Sequence, residues 1–318
     1  MVAMQGAKMD SVNSILVLVN PASSDNQGRQ IWEGLQPRFE QLFSSYICTV
    51  LETESSEHNI ELAATTDADL IISVSGDGTI HDIAQGIMRR PREERPMLTM
   101  LPIGSGNDFA RSLGIPLDPS RALEAISAGR RATIDVGRCN ETYFLETLSF
   151  GVDAAIAINT YEKRKTTKSR GFILYARVAV SAIIHELRKH HFRFSVDGGL
   201  PLEEDFVIFA IQNGRTYGGG FQITPAALLD DGLLNVCMAT DTSKPYALYT
   251  LSRIAGGKHE QLRIIRTLTA KQLTIDLDEE IPVQNDGEAL YGTHFEVALL
   301  PQAIDVLVAP QGAAVGAS

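Results

Sequence analysis

Three short stretches carry residue types that could do chemistry together. The apolar run Ile71-Ile72-Ser73-Val74-Ser75 leads into Gly76-Asp77-Gly78-Thr79-Ile80, and Leu98–Ile103 leads into Gly104-Ser105-Gly106-Asn107-Asp108. Glycines at such points let backbone N–H groups approach phosphate oxygens at the start of a helix. Asp77 could hold a cation or orient a phosphate, and Thr79 and Ser105 offer hydroxyls. Far downstream, Asp286-Gly287-Glu288 sets two carboxylates on a tight turn, where one could accept a proton from an attacking hydroxyl. Read singly, Gly-Asp-Gly is a common turn and Asp-Gly-Glu a solvated one. No GxxxxGK[ST] run is present, so a P-loop lysine is excluded, and no GxGxxG with a suitably spaced acid supports a dinucleotide fold.

The elements that must position these groups follow from apolar patterning. Strands are expected at Ile15–Asn20, Tyr46–Leu51, around Ile71, around Leu98 and at Ala132–Val136. Helices are expected at Gln30–Ser44, Glu57–Thr65, His81–Met88, Asp108–Leu113 and Ser120–Ala128. This alternation predicts an N-terminal doubly wound α/β nucleotide-binding domain, with ligands beyond the carboxyl ends of its strands. Past Gly137 the rhythm changes. Strands at Tyr143–Ser149, Phe192–Val196, Phe206–Gln212, Leu233–Ala239 and Gln272–Leu277, with one long helix, suit a C-terminal β-sandwich-like domain. Phe295–Leu299 and Ile304–Val308 close the chain. The expected division is 1–137 for the α/β domain, 138–300 for the β-rich domain and 311–318 for a disordered tail, with the active site in the cleft between domains.

GDGT followed by Pro102-Ile103-Gly104-Ser105-Gly106-Asn107-Asp108-Phe109-Ala110-Arg111 resembles the diacylglycerol kinase catalytic-domain family, soluble bacterial lipid kinases related to sphingosine and ceramide kinases. Asn20-Pro21-Ala22-Ser23-Ser24 is similar to the family's Asn-Pro-x-Ser-Gly loop. Asn213–Asn235 resembles its glycine-rich hairpin and Asp-Gly segment, and Asp286-Gly287-Glu288 its catalytic triplet. Ser75 stands where the family has glycine, His81-Asp82 where it has Asn-Glu, Ser105 where it has threonine, Ser24 where it has glycine and Asn235 where it has aspartate.

The resemblance implies an ATP- and Mg2+-dependent kinase acting on a lipid hydroxyl, diacylglycerol first, giving phosphatidic acid. It implies ATP contacts from Asn20, Pro21, Ala22, Ser23, Ser24, Thr53, Ser75, Gly76, Asp77, Gly78, Thr79, Ile80, His81, Gly104 and Ser105. It points to Asp77, Asp286 and Glu288 as catalytic, with Glu288 the proton acceptor and the choice between the last two left to geometry. It further implies a structural Mg2+ on Asp231 and the Leu228 and Leu233 carbonyls, although Asp230-Asp231-Gly232 also reads as a plain turn between strands. By the same resemblance, the terminal strand around 301–310 rejoins the first domain. Two competing readings stand beside this one: an NAD kinase, which shares GDGT, and a nucleotide-sensing regulator without catalysis.

Composition sets limits on partners. A net charge of −11 with 44% hydrophobic and 21% charged residues describes a globular chain that does not target nucleic acid. Its lipid substrate would be met by local, transient contact at a membrane surface, from a cytoplasmic location, and a homodimer is compatible with this surface. Cys48, Cys139 and Cys237 lie far apart and read as free or buried thiols. Met1–Asn13 lacks the apolar core of a signal peptide, and no run is apolar enough to span a bilayer. In the long helix, Ile173, Ala176, Val180, Ile183, Ile184 and Leu187 share one face and read as core, with Arg177, Ser181, His185 and Arg188 opposite. A membrane-facing role for this helix with the basic run Lys163–Arg170 is the second reading. His190-His191 reads as a solvated helix end and His81 as a polar surface residue.

Overall fold

The computed structural model describes residues 12–164, 167 and 169–310. Most of the expected polar N-terminal segment, the expected tail Gln311–Ser318, and Lys165 and Lys168 of the basic run lie outside the described residues. The chain divides into two compact units. The first runs to Ile134 and resumes at Gln302; the second is Asp135–Pro301.

In the first unit, β1 (Ser14–Val19), β2 (Ile47–Glu52), β3 (Leu70–Ser75) and β4 (Met97–Pro102) form a parallel sheet in the order β2-β1-β3-β4. Both faces of β3 and β4 are buried, as a parallel sheet covered by helices requires. The helices are α2 (Gly28–Leu42), α3 (Ser56–Thr65), α4 (Asp77–Met88), α5 (Asp108–Ser112) and α6 (Pro119–Ser127). A Cβ on Gly86 would overlap the Ile60 carbonyl, so this glycine lets α4 lie directly on α3. The end of the last strand, β17 (His294–Val308), adds beside β4 with Val306 opposite Leu98. Asp305 holds it there through Arg92 (2.7 Å), Arg131 and Thr133 (2.8 Å).

The second unit is built on antiparallel strands, among them β7 (Thr147–Gly151), β8 (His190–Val196), β9 (Leu202–Gln212), β12 (Leu234–Thr240) and β14 (Gln272–Leu277). One core is aromatic: Phe150 meets Phe192, Phe209 and Phe295 edge-on at 5.2–6.1 Å, the geometry that ring quadrupoles favour. A separate core gathers Val152, Leu174, Val178, Val207 and Ile254. It lies beneath α7 (Val152–Arg164), α8 (Gly171–His185) and α9 (Lys244–Ile254).

Several expectations are corrected here. The helices α7 and α9 join the single long helix expected. The strand expected at Tyr143–Ser149 breaks into Thr142–Phe144 and Thr147–Gly151, because the N–H groups of Leu145 and Glu146 turn to a side chain instead of a strand. The two closing strands are one, 15 residues long. The helix after GDGT begins at Asp77, not His81, so His81 faces the interior at 7% exposure instead of water. His190 is likewise buried, inside β8, while His191 pairs with Asp205 at 2.9 Å.

The largest reversal concerns α8. Its buried face is Leu174, Tyr175, Val178, Ala179, Ala182 and Ile183. Ile173, Val180 and Ile184, expected in the core, are 66%, 40% and 42% exposed. The helix is apolar nearly all round, so periodicity could not choose its inner side.

Candidate active site

In the first unit, the strand order changes direction between β1 and β3: the chain passes from β1 outward to β2, then back across to β3 and on to β4. Ligands of open α/β sheets sit at such a switch point. Here the loops after β1 and β3 are tied together. The Asn20 side-chain amide donates to Thr79 Oγ1 at 2.8 Å, and its carbonyl oxygen accepts from Ala22 N–H at 3.0 Å. Thr53, at the end of β2, donates its backbone N–H to the Val19 carbonyl at 2.9 Å and is buried.

The loop after Asn20 turns tightly. The short turn α1 (Ser23–Asn26) is left-handed: Ser24, Asp25 and Asn26 have φ of 56°, 58° and 66°, a region costly to residues other than glycine. A Cβ on Gly28 would overlap the Asn20 carbonyl oxygen. That glycine therefore lets the start of α2 press against the loop. Sequence reading passed over it, although its signal was a glycine shortly after the expected Asn-Pro loop.

The two glycine loops meet backbone to backbone. A Cβ on Gly76 would lie 3.0 Å from Gly104 Cα, and one on Gly104 would overlap Gly76. The Ser75 carbonyl accepts from Ile103 and Gly104 N–H at 2.9 and 3.1 Å. The Ser75 side chain turns into the sheet and shares a 2.6 Å hydrogen bond with Ser73.

Asp77 opens α4. Its carboxylate accepts from Asn107 N–H at 2.6 Å and Phe109 N–H at 3.3 Å. The acid thus fixes the second loop to the first, with Asn107 left-handed (φ 57°) between them. Ile80 is core, its N–H bonded to the Gly76 carbonyl. The Ser105 hydroxyl is buried and has no hydrogen-bond partner, as a group awaiting a ligand would be. None of the residues 20–24, 76–79 and 104–107 is lysine or arginine. Backbone N–H groups and hydroxyls are what they offer a phosphate, so further neutralisation calls for a cation brought with it.

In the second unit, Asp286 and Glu288 have different surroundings. Asp286, at φ 47°, accepts from the N–H groups of Leu145 (2.7 Å), Glu146 (3.0 Å) and Thr147 (2.9 Å). Buried Gln284 accepts from Gly287 N–H at 2.7 Å and donates to Ser149 at 2.8 Å. The turn is held on every side, and Glu288 projects from it into solvent as the first residue of a short strand. Gln284 and Glu146 were not singled out from sequence; only the fold brings them to this turn.

Elsewhere in the second unit, the Asp230-Asp231-Gly232 turn docks on Asp135, whose carboxylate accepts from Gly232 N–H at 2.8 Å. Partial burial, and beyond it the charges of Asp135 and Asp230, push the Asp231 carboxyl above the usual range; a 3.0 Å hydrogen bond from Leu233 N–H opposes them. A hard divalent cation on the Asp231 carboxylate would offset the repulsion from Asp135 and Asp230. Among the described residues no three acidic, histidine or cysteine side chains form a cage, so such a site would rest on one carboxylate and main-chain oxygens.

Comparison with known proteins relates the chain to lipid kinases. The family model of the diacylglycerol kinase catalytic domain matches residues 14–139, and that of the YegS C-terminal NAD kinase beta sandwich-like domain matches residues 146–308. The chain belongs to this family, in its two-domain YegS form, and is a kinase for which ATP is the implied phosphate donor. Relatives named "Probable lipid kinase YegS-like" in Yersinia pestis (strain Pestoides F) and Yersinia pseudotuberculosis (serotype O:1b, strain IP 31758) are 29% identical over 300 residues, covering 93% of this chain and 97% of theirs. A solved diacylglycerol kinase structure from Bacillus anthracis str. Sterne shares the fold with a TM-score of 0.73 at 22% identity, covering 95% of this chain and 99% of that one. Another structure from the same organism reaches 0.77 at 24% identity, covering 94% and 98%.

Proposed function

We propose that this kinase transfers the γ-phosphoryl group of ATP to the free hydroxyl of diacylglycerol, giving phosphatidic acid. The observation that carries the reading is the division of labour in Asp286-Gly287-Glu288. Asp286 spends its oxygens on three backbone N–H groups, which leaves Glu288, on the turn anchored by these bonds, to take the hydroxyl proton. Phosphoryl transfer asks for positioning and charge neutralisation more than covalent chemistry. Asn20 to Ser24, Thr53, Gly76 to Thr79, Gly104 and Ser105 would surround the nucleotide, while Ser75, Ile80 and His81, expected among its contacts, turn buried side chains away and would support the loop from behind. Asn20, Thr79 and Ser105 supply polar side-chain groups, the glycines supply backbone access, and Asp77 keeps the two loops in register.

Mg2+ accompanying ATP would supply the positive charge that these loops lack. A second Mg2+ would sit on Asp231 with the Leu228 and Leu233 carbonyls and steady the turn against Asp135. The substrate is met at a membrane surface by a cytoplasmic enzyme in transient contact with it.

The test is incubation with labelled ATP and Mg2+ against dispersed diacylglycerol, monoacylglycerol, a sphingoid base, phosphatidylglycerol and NAD. Labelled phosphatidic acid from diacylglycerol, absent with Glu288→Gln, is the expected result. Label in NAD alone, or undiminished turnover by Glu288→Gln, would overturn the reading. For the second ion, added Mg2+ should raise the thermal midpoint of the wild type more than that of Asp231→Asn, a readout independent of turnover.

A further inference from the structure

The turn that carries Glu288 is built as a hairpin. Asn285, at the end of β15 (Val283–Asn285), pairs with Glu288, at the start of β16 (Glu288–Leu290), so Asp286 and Gly287 form a two-residue loop. Their φ values are both positive, 47° and 100°, as in the type I′ turns that suit twisted strands. The strand β16 is three residues long and lies at one end of the sheet order, beside β15. A hairpin so short does not hold its own shape, so where Glu288 points depends on what grips the loop.

The two central N–H groups of such a loop take no part in the pairing of its strands. The Asp286 N–H donates to the Thr147 carbonyl at 2.9 Å, and the Gly287 N–H donates to the Gln284 side-chain oxygen at 2.7 Å. The nitrogen of the Gln284 amide donates to the Ser149 hydroxyl at 2.8 Å and to that of Thr147 at 3.4 Å. Behind Ser149 lies Asp153, a buried acid of α7 that the chemistry described so far does not use. Asp153 accepts from Tyr217 at 2.6 Å and from Tyr175 at 3.3 Å, and the Ser149 hydroxyl bonds to the same carboxyl. With its hydrogen committed to Asp153, Ser149 turns a lone pair to the Gln284 nitrogen, which leaves the Gln284 oxygen to face Gly287. Gln284, Ser149, Asp153 and both tyrosines are buried, where a broken link costs the desolvation of the partner left behind.

We propose that Gln284 is a positioning residue for Glu288: backed by Ser149 and Asp153, its oxygen holds the Gly287 N–H and so aims the Glu288 carboxylate at the hydroxyl to be phosphorylated. The inference deepens the lipid-kinase reading and rests on it for the role of Glu288 as proton acceptor. Buried Gln284 acts through the turn, so its loss falls on turnover and leaves substrate binding alone.

The test compares Gln284→Met, which keeps the shape and removes both bonds, with Gln284→Glu, which keeps an oxygen for Gly287, using labelled ATP and dispersed diacylglycerol. Gln284→Met should lower kcat about tenfold to a hundredfold with the KM for each substrate unchanged, and Gln284→Glu should recover most of that loss. In a Glu288→Gln background Gln284→Met should bring no further loss, because the group it aims is gone. Independently of turnover, the Gly287 amide hydrogen should exchange about tenfold faster in Gln284→Met than in the wild type. Should Gln284→Met fail to fold, Ser149→Ala, which frees the Gln284 amide to turn, should show the same two effects in smaller measure. The proposal is overturned by full kcat in Gln284→Met, by a raised KM in place of a lowered kcat, by a loss that adds to that of Glu288→Gln, or by unchanged Gly287 exchange. An inactive Glu288→Gln beside a fully active Gln284→Met sinks the proposal alone. A fully active Glu288→Gln sinks the proton-acceptor reading, and faster Gly287 exchange in Gln284→Met then still shows the glutamine holding the turn.

Discussion

Asp286 and Glu288 carry the same functional group, and their surroundings give them different work. Glu288→Gln removes a proton acceptor from an exposed position. It should cut kcat by about a hundredfold to ten-thousandfold while moving stability by no more than about 0.5 kcal/mol. Asp286→Asn turns an amide against three backbone donors and should cost about 2–4 kcal/mol of stability, measured by denaturant unfolding, with activity falling as a consequence. Similar kcat losses at unchanged stability in both variants would mean that the two acids act together in the chemistry. Asp77 belongs with Asp286: its carboxylate is occupied by Asn107 and Phe109 N–H groups. Asp77→Asn should therefore raise the KM for ATP by loosening the second loop, and lower stability by about 1–2 kcal/mol.

At the level of elements, glycines set how closely pieces of backbone approach. Gly28→Ala pushes the start of α2 away from Asn20; the expected result is a KM for ATP raised about tenfold and a loss of about 1–3 kcal/mol, read by kinetics and thermal unfolding together. The strand-loop-helix units around Gly76 and Gly104 were legible from sequence because apolar runs and glycines mark both ends of each unit. The helices α7 and α9 were not: Val152–Arg164 mixes buried alanines with polar residues and announces no clean stripe. The inner side of α8 was also illegible, since Val178 and Ile183 are no more apolar than Ile173 and Ile184. Which side is buried is decided by the tertiary packing: Ala179 and Ala182 lie in the core that α8 shares with α7 and α9. The loop glycines were found as signals, but Gly28 was not, because its requirement comes from a carbonyl that only the fold puts next to it.

For the whole molecule, pH acts through buried histidines. Burial lowers the affinity of His190 and His259 for protons. His259 is wholly enclosed and lies 2.9 Å from the Ile223 carbonyl through Nε2. Because the unfolded chain takes up these protons first, stability should fall as pH drops through about 6.5. His191 and His294, raised by hydrogen bonds to Asp205 and Asp276, work in the opposite sense, but they are exposed and screened. Thermal midpoints between pH 7.5 and 5.5 should therefore decline in the wild type and decline less in His259→Gln; equal slopes would remove His259 from this balance.

The return of the final strand to the first sheet has a bearing on how the polypeptide is born. Most of the first unit is made before the second, yet its Arg92 and Arg131 must wait for Asp305, and β4 for its neighbour, until the whole of Asp135–Pro301 has been made. A message cut short just before codon 302 would thus spoil the half that was translated earlier, leaving the sheet with a bare edge along β4 and two arginines without Asp305.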